Sequence, residues 1–321
     1  MVKFGAVVPQ GWLPDLPPSL SSVEQYALIK EVTQEIERLG FHSGWMFDHL
    51  LTYPKITTDS CFECWTTLPA LAMETNSLRL GQIVTCNSYR HPSLLAKMAS
   101  TLDEISKGRL EFGIGAGWYE AEYNAFGIPF PPLVKRAEML EEAIQIIMKM
   151  WTEPKATFHG RHYSLKEAVC EPKPVQKPHP PILIGGSSEK ILIPIVAKYA
   201  NRSNFFGPLD NYERKRAILE QNCNAIGRNF EEVEQTCSLS VIIAETLKEA
   251  EAKANNIRRE AKYYEKFLDR CIIGDPENCA QQLKVYAKAG VSFFILYFPD
   301  AVEIEPLRLF AKAVAPTVTK D

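Results

Sequence analysis

The chain has 321 residues, and at this length folding buries about 75% of the unfolded surface, so the core needs no disulfide or metal. Hydrophobic residues make up 46% and charged residues 23%, which excludes disorder, collagen and coiled coil as the main state. The formal net charge of −3 offers no attractive field for nucleic acid, and every apolar run is shorter than the ~20 residues of a membrane-spanning helix. We therefore expect neither a nucleic-acid partner nor a membrane partner.

The N-terminal residues and the cysteines predict a reduced, cytoplasmic protein. Met1 to Gly5 enter a strand-like pattern and lack the shape of a signal peptide. The eight cysteines are expected to be reduced thiols, and the pair Cys61 and Cys64 lacks the second pair of ligands that a zinc site requires. The six histidines show no metal-ligand spacing, so we expect no metal site.

Strand-like and helix-like segments alternate from the first residues onward. The strand at 3–8 is apolar at nearly every residue, as is typical of a parallel strand buried on both faces. A capping box formed by Ser22 and Gln25 predicts the start of the first helix, and Gly40 ends it. Three more strands, each followed by a helical pattern, are predicted at 44–47, 78–85 and 109–115.

This alternation is interrupted between Trp151 and Pro181. Residues 158–165 alternate weakly like a small hairpin, and five prolines then enforce extended backbone. We interpret the region at about 152–180 as an insertion in a single domain spanning residues 1–321, not as a domain boundary. A second irregular stretch, 258–272, follows the seventh strand.

The second half of the chain completes an eightfold pattern. Its strands are predicted at 182–184, 203–206, 238–244 and 293–298. Eight strands alternating with eight helices predict a (β/α)8 TIM barrel with insertions after strands 4 and 7. A doubly wound open sheet would carry a glycine-rich phosphate turn after its first strand, where this chain has Pro9-Gln10-Gly11-Trp12.

Polar residues follow the second and third predicted strands. The active site of a TIM barrel lies at the C-terminal ends of its strands, which directs attention to these positions. Asp48 and His49 could supply a general base and the group that orients it. A strand-end aspartate that binds loop amides, next to a histidine satisfied by a carbonyl, explains them equally well. The turn after strand three, which contains Thr85, Cys86 and Asn87, is a weaker signal.

Strand four ends in Gly115, Ala116, Gly117 and Trp118. Glycines remove side chains where a flat group must approach the backbone, and the Trp118 ring could stack on an aromatic ligand. The geometry of a tight turn would also explain the glycines.

Strand five ends in Gly185, Gly186, Ser187 and Ser188, directly before a predicted helix. Flexible glycines, two hydroxyls and helix N-terminal amides predict an anion nest for a phosphate. If the basic side chains that follow surround this nest, they would pair with further acidic groups of the ligand. These side chains are Lys190, Lys198 and Arg202.

Taken together, these segments resemble the bacterial luciferase-like superfamily of flavin and deazaflavin barrels, and most closely its coenzyme F420-dependent oxidoreductase branch. The similar segments extend from the first strand to the last helix. They are Gly44 to His49, Thr85 to Met98, Gly108 to Trp118, Pro181 to Gly186 and Ile273 to Glu277.

The resemblance implies that the tricyclic ring of a cofactor lies across the mouth of the barrel. His49 would transfer a proton, with Asp48 as its partner. Thr85, Cys86 and Asn87 would form a bulge behind the ring, where relatives often carry a non-proline cis peptide. The turn at 115–118 would flank the ring and the ribityl chain, and residues 185–188 would hold the phosphate.

The activity that the resemblance implies is hydride transfer between coenzyme F420 and a small organic substrate. An FMN-dependent monooxygenase of the same fold and a flavin-binding barrel without catalysis are the alternatives. The related sugar-phosphate dehydrogenases carry a glutamate where this chain has Trp118, so a sugar phosphate is not supported as substrate. The resemblance also suggests a homodimer packed through helices of the early βα units.

Overall fold

Eight parallel strands close into a barrel in the computed structural model, which describes residues 2–260 and 271–319. The strands are β1 (Lys3–Val7), β2 (Ser43–Met46), β3 (Arg79–Gln82), β4 (Leu110–Gly115), β5 (Ile182–Gly185), β6 (Arg202–Phe206), β7 (Glu234–Ile243) and β8 (Phe293–Tyr297). Each strand pairs with the next, and β8 pairs with both β7 and β1, which closes the ring. The predicted (β/α)8 TIM barrel is confirmed.

Helices connect the strands. They are α1 (Ser22–Arg38), α2 (Cys64–Glu74), α3 (Pro92–Ile105), α4 (Glu120–Ala125), α5 (Leu133–Thr152), α6 (Ile193–Tyr199), α7 (Leu209–Ala225), α8 (Leu247–Glu260), α9 (Pro276–Lys288), α10 (Glu305–Leu309) and α11 (Ala315–Thr319). The capping box of α1 is formed by Ser21 and Glu24, one residue before the predicted pair. Among the described residues, no helix is both long enough and apolar enough to cross a membrane.

Alternate residues of the strands face two apolar layers. In β8, Phe293 and Ile295 belong to the cluster that fills the barrel interior with Trp45. Phe294 and Leu296 face outward into the larger core between the strands and the helices. Because both faces are buried, the strands are apolar at nearly every position, which is why they could be located in the sequence.

A network of charged side chains lies at the N-terminal ends of the strands. Glu111 is fully buried and pairs with both Arg79 and Arg202. Glu234 lies 2.7 Å from Arg202 Nε and 2.7 Å from Lys3 Nζ. Arg202 therefore lies at the opposite end of the barrel from the strand ends expected to bind a ligand. The expectation that Arg202 surrounds a phosphate site is wrong, because it is the first residue of β6.

The connections add four short strands outside the eight-stranded barrel among the described residues. Ala156–His159 and Ser164–Ala168 form an antiparallel hairpin between α5 and β5, within the irregular region at about 152–180. Thr85–Cys86 pairs with β4, and Cys271–Gly274 pairs with β7. Residues 261–270, the main part of the second irregular stretch, lie outside the described residues. That residues 1–321 fold as one domain stays a prediction.

Candidate active site

A cavity of about 680 Å³ opens at the C-terminal ends of the barrel strands. Twelve of the thirteen residues selected from the sequence line it: Asp48, His49, Thr85, Cys86, Gly115, Ala116, Gly117, Trp118, Gly185, Gly186, Ser187 and Ser188. A volume in this range suits a cofactor-sized ligand. Segments that are distant in the chain thus meet at one site because all of them leave the same end of the barrel.

Asn87 is the exception. Its side chain is buried, and its amide nitrogen lies 3.4 Å from the Tyr163 hydroxyl in the hairpin. It therefore faces the hairpin and does not line the cavity. Contact of Asn87 with a cofactor stays a prediction, whereas Tyr89, at the end of the same short helix, does line the cavity.

Asp48 is bound by Arg90, not by His49. The Arg90 guanidinium donates two hydrogen bonds to the Asp48 carboxylate, at 2.7 and 3.0 Å, and the Cys86 amide donates a third at 2.8 Å. Arg90 also lies 2.5 Å from Glu63, so one cation neutralises both carboxylates. Burial would lower the pKa of Arg90, but these carboxylates hold it above its ordinary value.

The predicted partnership of Asp48 with His49 is therefore wrong. Asp48 joins the end of β2 to the segment after β3, and it forms part of the wall of the cavity. Asp48, Glu63 and Cys64 hold potential metal-ligand atoms within 4.8 Å of one another, yet Arg90 already binds both carboxylates.

The partner of His49 is Glu122. Glu122 Oε2 lies 2.8 Å from His49 Nδ1, and the Tyr89 hydroxyl donates to the same oxygen at 2.5 Å. The Leu50 and Leu51 amides donate to Oε1 at 2.6 and 3.0 Å. Burial would raise the pKa of Glu122, but the hydrogen bond and charge of His49, with the other donors, hold it below its ordinary value.

This arrangement fixes the protonation pattern of His49. An ionised carboxylate only accepts hydrogen bonds, so Nδ1 carries a proton that it donates to Glu122. Nε2 has no hydrogen-bond partner among the described residues, and the ring lines the cavity. His49 is thus held with one nitrogen anchored and the other available for proton transfer.

Sequence reasoning did not select Glu122, which lies 73 residues from His49. The available signal was its place in α4, the short helix that directly follows the glycine-rich end of β4.

Aromatic side chains surround His49. Trp12 stacks on its imidazole, with ring centroids 4.1 Å apart and planes 7° apart. Trp118 and Tyr119 approach it edge to face at 5.8 and 6.0 Å, and Tyr53 packs against both of them. Trp118 remains 53% exposed, so its ring is accessible at the rim. Trp12 was not selected from the sequence, although it follows the first strand.

The glycines of the cavity wall make room for the protein's own side chains. A Cβ at Gly115 would lie 2.8 Å from Val84, and one at Gly185 would lie 2.9 Å from it. Gly117 has a φ of +77°, and a Cβ there would lie 2.0 Å from the Tyr123 hydroxyl. The non-proline cis peptide joins Ile83 to Val84, just before the segment where relatives suggested it.

The two serines of the predicted anion nest line the cavity, but no helix of the described chain begins directly after them. Gly186, Ser187 and Ser188 line the cavity, whereas α6 begins only at Ile193. The Leu192 and Ile193 amides donate to the Ser188 carbonyl instead of facing the cavity.

The lysines expected near this nest lie elsewhere. Lys190 and Lys198 line a separate groove between α5 and α6, where Lys198 lies 2.7 Å from Glu141. The basic side chain that does line the cavity, besides His49, is Arg136 of α5.

With this geometry in view, comparison with known proteins gives the family. A profile of the family described as luciferase-like monooxygenase matches residues 4–270. The chain belongs to this family.

Its relatives use two kinds of cofactor. The chain is 24% identical to an F420-dependent glucose-6-phosphate dehydrogenase of Amycolatopsis mediterranei (strain U-32), over 92% of this chain and 96% of that protein. It is 29% identical to an FMNH(2)-dependent dimethylsulfone monooxygenase of Pseudomonas putida, over 55% of this chain and 50% of that protein. These luciferase-like relatives support an oxidoreductase with a deazaflavin or flavin cofactor.

Solved structures support the fold. The monooxygenase RslO1 from Streptomyces bottropensis superimposes with a TM-score of 0.81 over 98% of this chain and 99% of that chain, at 20% identity. The resemblance seen in the sequence to the luciferase-like superfamily is thus confirmed, and the fold agrees with it.

Proposed function

We propose that this protein is a coenzyme F420-dependent oxidoreductase that transfers a hydride between the deazaflavin and a small organic substrate. The observation that carries the proposal is the anchored His49 in a cavity formed by the strand ends where the sequence resemblance implies a cofactor. The full-length similarity to an F420-dependent dehydrogenase supports the choice of cofactor.

The lining of the cavity fits a planar heterocycle with a phosphorylated tail. Apolar side chains such as Ile83, Val84 and Leu239 line one part of it, which suits a ring system. Gly186, Ser187 and Ser188 also line it, and amides and hydroxyls are groups that bind phosphate. We assign Thr85, Cys86 and residues 115–118 to the ring and ribityl chain, and residues 185–188 to the phosphate.

When bound, a deazaflavin supplies hydride exchange at carbon. The chain's own residues have two tasks. The cavity walls hold donor and acceptor carbons in reacting geometry, and the aromatic side chains Trp12, Tyr53 and Trp118 exclude water from that place. His49 takes or gives the substrate proton at Nε2, while Glu122 stabilises the imidazolium that forms when His49 accepts it.

An FMN-dependent monooxygenase is the second candidate, favoured by the similarity to the dimethylsulfone enzyme. The purified protein is titrated with F420 and with FMN in parallel, and binding is measured by fluorescence quenching. The two dissociation constants distinguish the two candidate functions. We expect tighter binding of F420 and F420-coupled turnover. Preferential binding of FMN, with flavin-coupled oxygen consumption, would favour the monooxygenase instead.

A third outcome is binding without turnover. His49→Ala tests it, because loss of turnover with retained cofactor binding is expected of a catalytic His49. Binding of a cofactor with no turnover across carbonyl and alcohol substrates would favour a carrier, and binding of neither cofactor would refute the proposal.

We further propose a homodimer formed through the early βα units and a cytoplasmic location. The dimer is supported by exposed apolar residues on adjacent helices, Met73 of α2 at 74% and Leu94 of α3 at 54%. Light scattering on the wild type and on Met73→Lys should give the mass of two chains and of one chain, respectively.

A further inference from the structure

Arg136 is a buried cation without a carboxylate partner in the described part of the chain. It is 7% exposed and lies near the start of α5. Its Nη1 donates to the Pro131 carbonyl, and its guanidinium lies over the Phe130 ring at 4.1 Å. Its Nε is buried and has no hydrogen-bond partner among the described residues. A buried charge in this state is costly, because one carbonyl and one aromatic ring replace only part of its lost hydration.

The start of α5 and the chain that follows β5 line two cavities together. Arg136 and Leu133 line the cavity together with Leu192 and the two serines at 187 and 188. The adjacent residues of α5, Val134 and Ala137, share a separate groove with the segment at 190–195. The start of α5 thus packs beside the chain that follows β5, although the two are distant in sequence.

We infer that Arg136 binds the phosphate of the cofactor, together with Gly186, Ser187 and Ser188. This inference rests on the proposed function and assigns a residue to its anionic group. Serine hydroxyls and amides provide hydrogen bonds but no formal charge, whereas a guanidinium provides both in a geometry that matches phosphate oxygens.

The test compares ligands with and without the phosphate. Dissociation constants for FMN and riboflavin are measured by fluorescence quenching on the wild type and on Arg136→Met. The same comparison is made with F420 and its phosphate-free deazaflavin riboside. We expect R136M to weaken binding of the phosphorylated ligands about 10- to 100-fold, the effect of losing a hydrogen bond to a charged group, with little change for the others. Lys135→Met, which removes the exposed neighbouring charge, is the matched control and should leave both dissociation constants unchanged.

Two further variants keep the test decisive if R136M does not fold. Arg136→Lys retains a positive charge and should preserve most of the preference for the phosphorylated ligand, whereas Arg136→Gln should lose it. Equal loss for both ligands, or no loss, in a folded variant would overturn the inference and leave the proposed function intact. Failure of the wild type to bind any of these ligands would instead overturn the proposed function, and this inference with it.

Discussion

The hydrogen bond from His49 to Glu122 predicts that Glu122→Gln shifts the proton of the neutral His49 ring from Nδ1 to Nε2. The Leu50 and Leu51 amides require an acceptor at Oε1, so the glutamine carbonyl would take that position. Its NH2 group then replaces the oxygen that lies 2.8 Å from His49 Nδ1 and 2.5 Å from the Tyr89 hydroxyl. Because an amide nitrogen only donates, Nδ1 must become the acceptor and the neutral ring must carry its proton on Nε2.

The size of the effect follows from the charge that is lost. A hydrogen bond to an ionised group contributes about 1.5–3 kcal/mol. This energy favours the neutral ring with its proton on Nδ1 over the form with its proton on Nε2 by a factor of roughly 10 to 150. General acid–base catalysis contributes about 10²- to 10⁴-fold to a rate. We therefore expect Glu122→Gln to lower turnover by about 10²- to 10⁴-fold while cofactor affinity changes little.

Nitrogen-15 NMR of the His49 ring reads the position of the proton directly and needs no substrate. Turnover is measured with whichever cofactor and substrate prove active. Glu120→Gln, an exposed glutamate of the same helix, is the matched control and should behave as wild type. A folded Glu122→Gln variant that keeps its proton on Nδ1, or keeps wild-type turnover, would refute the role given to Glu122.

Three other substitutions test the packing and charges around the site. Burial raises the pKa of Asp15 from 3.8 to about 7, so the unfolded chain loses this proton first as the pH rises, and the free energy of unfolding should fall by about 3 kcal/mol between pH 4.5 and 7.5. Asp15→Asn should remove that difference in urea titrations at pH 4.5 and 7.5, and an identical pH dependence in both proteins would contradict it. Arg90→Met should cost about 3–5 kcal/mol of stability because Asp48 is left buried and unpaired, whereas Arg90→Met combined with Asp48→Asn should recover part of it. Gly115→Ala should cost about 1–3 kcal/mol because its Cβ meets Val84, and Val84→Ala in the same chain should relieve that cost; simple additivity of the two changes would argue against this contact.

The fold could be predicted because its signals are local. A strand buried on both faces is apolar without interruption, and β8 shows why, with Phe293 directed inward and Phe294 outward. The capping box of α1 was misplaced by one residue because two adjacent serines, Ser21 and Ser22, offer the same hydroxyl. Only the backbone conformation distinguishes them.

The place of the site could also be predicted, since the ends of parallel barrel strands must converge. The partners within it could not, because they meet through space. Asp48 and His49 are adjacent in sequence, yet Asp48 binds Arg90 and His49 binds Glu122, 42 and 73 residues away. Both side chains line the same cavity, so neither adjacency in the sequence nor a shared cavity identifies the partner of either one.

The basic residues illustrate the same limit. Arg202 comes directly before a predicted strand, whereas the serines follow the end of one. Its sequence position therefore indicated the opposite end of the barrel, as the structure shows. Arg136 comes from a helix that lines the same cavity as the serines because the fold brings α5 against the chain that follows β5. A charge without a partner cannot be recognised in a sequence, because recognition requires knowing every group around it.

The glycines show what a sequence pattern leaves open. A glycine indicates that a Cβ would not fit, but not whether a ligand or the protein occupies the space. At Gly115 and Gly185 the occupant is Val84, and at Gly117 it is Tyr123 and Cys86. Val84 and Cys86 line the cavity, whereas Tyr123 is fully buried behind it. The glycines therefore act on a ligand indirectly, by making room for the side chains that form or support the cavity wall. A larger residue at either position would therefore reshape the wall before it touched any cofactor.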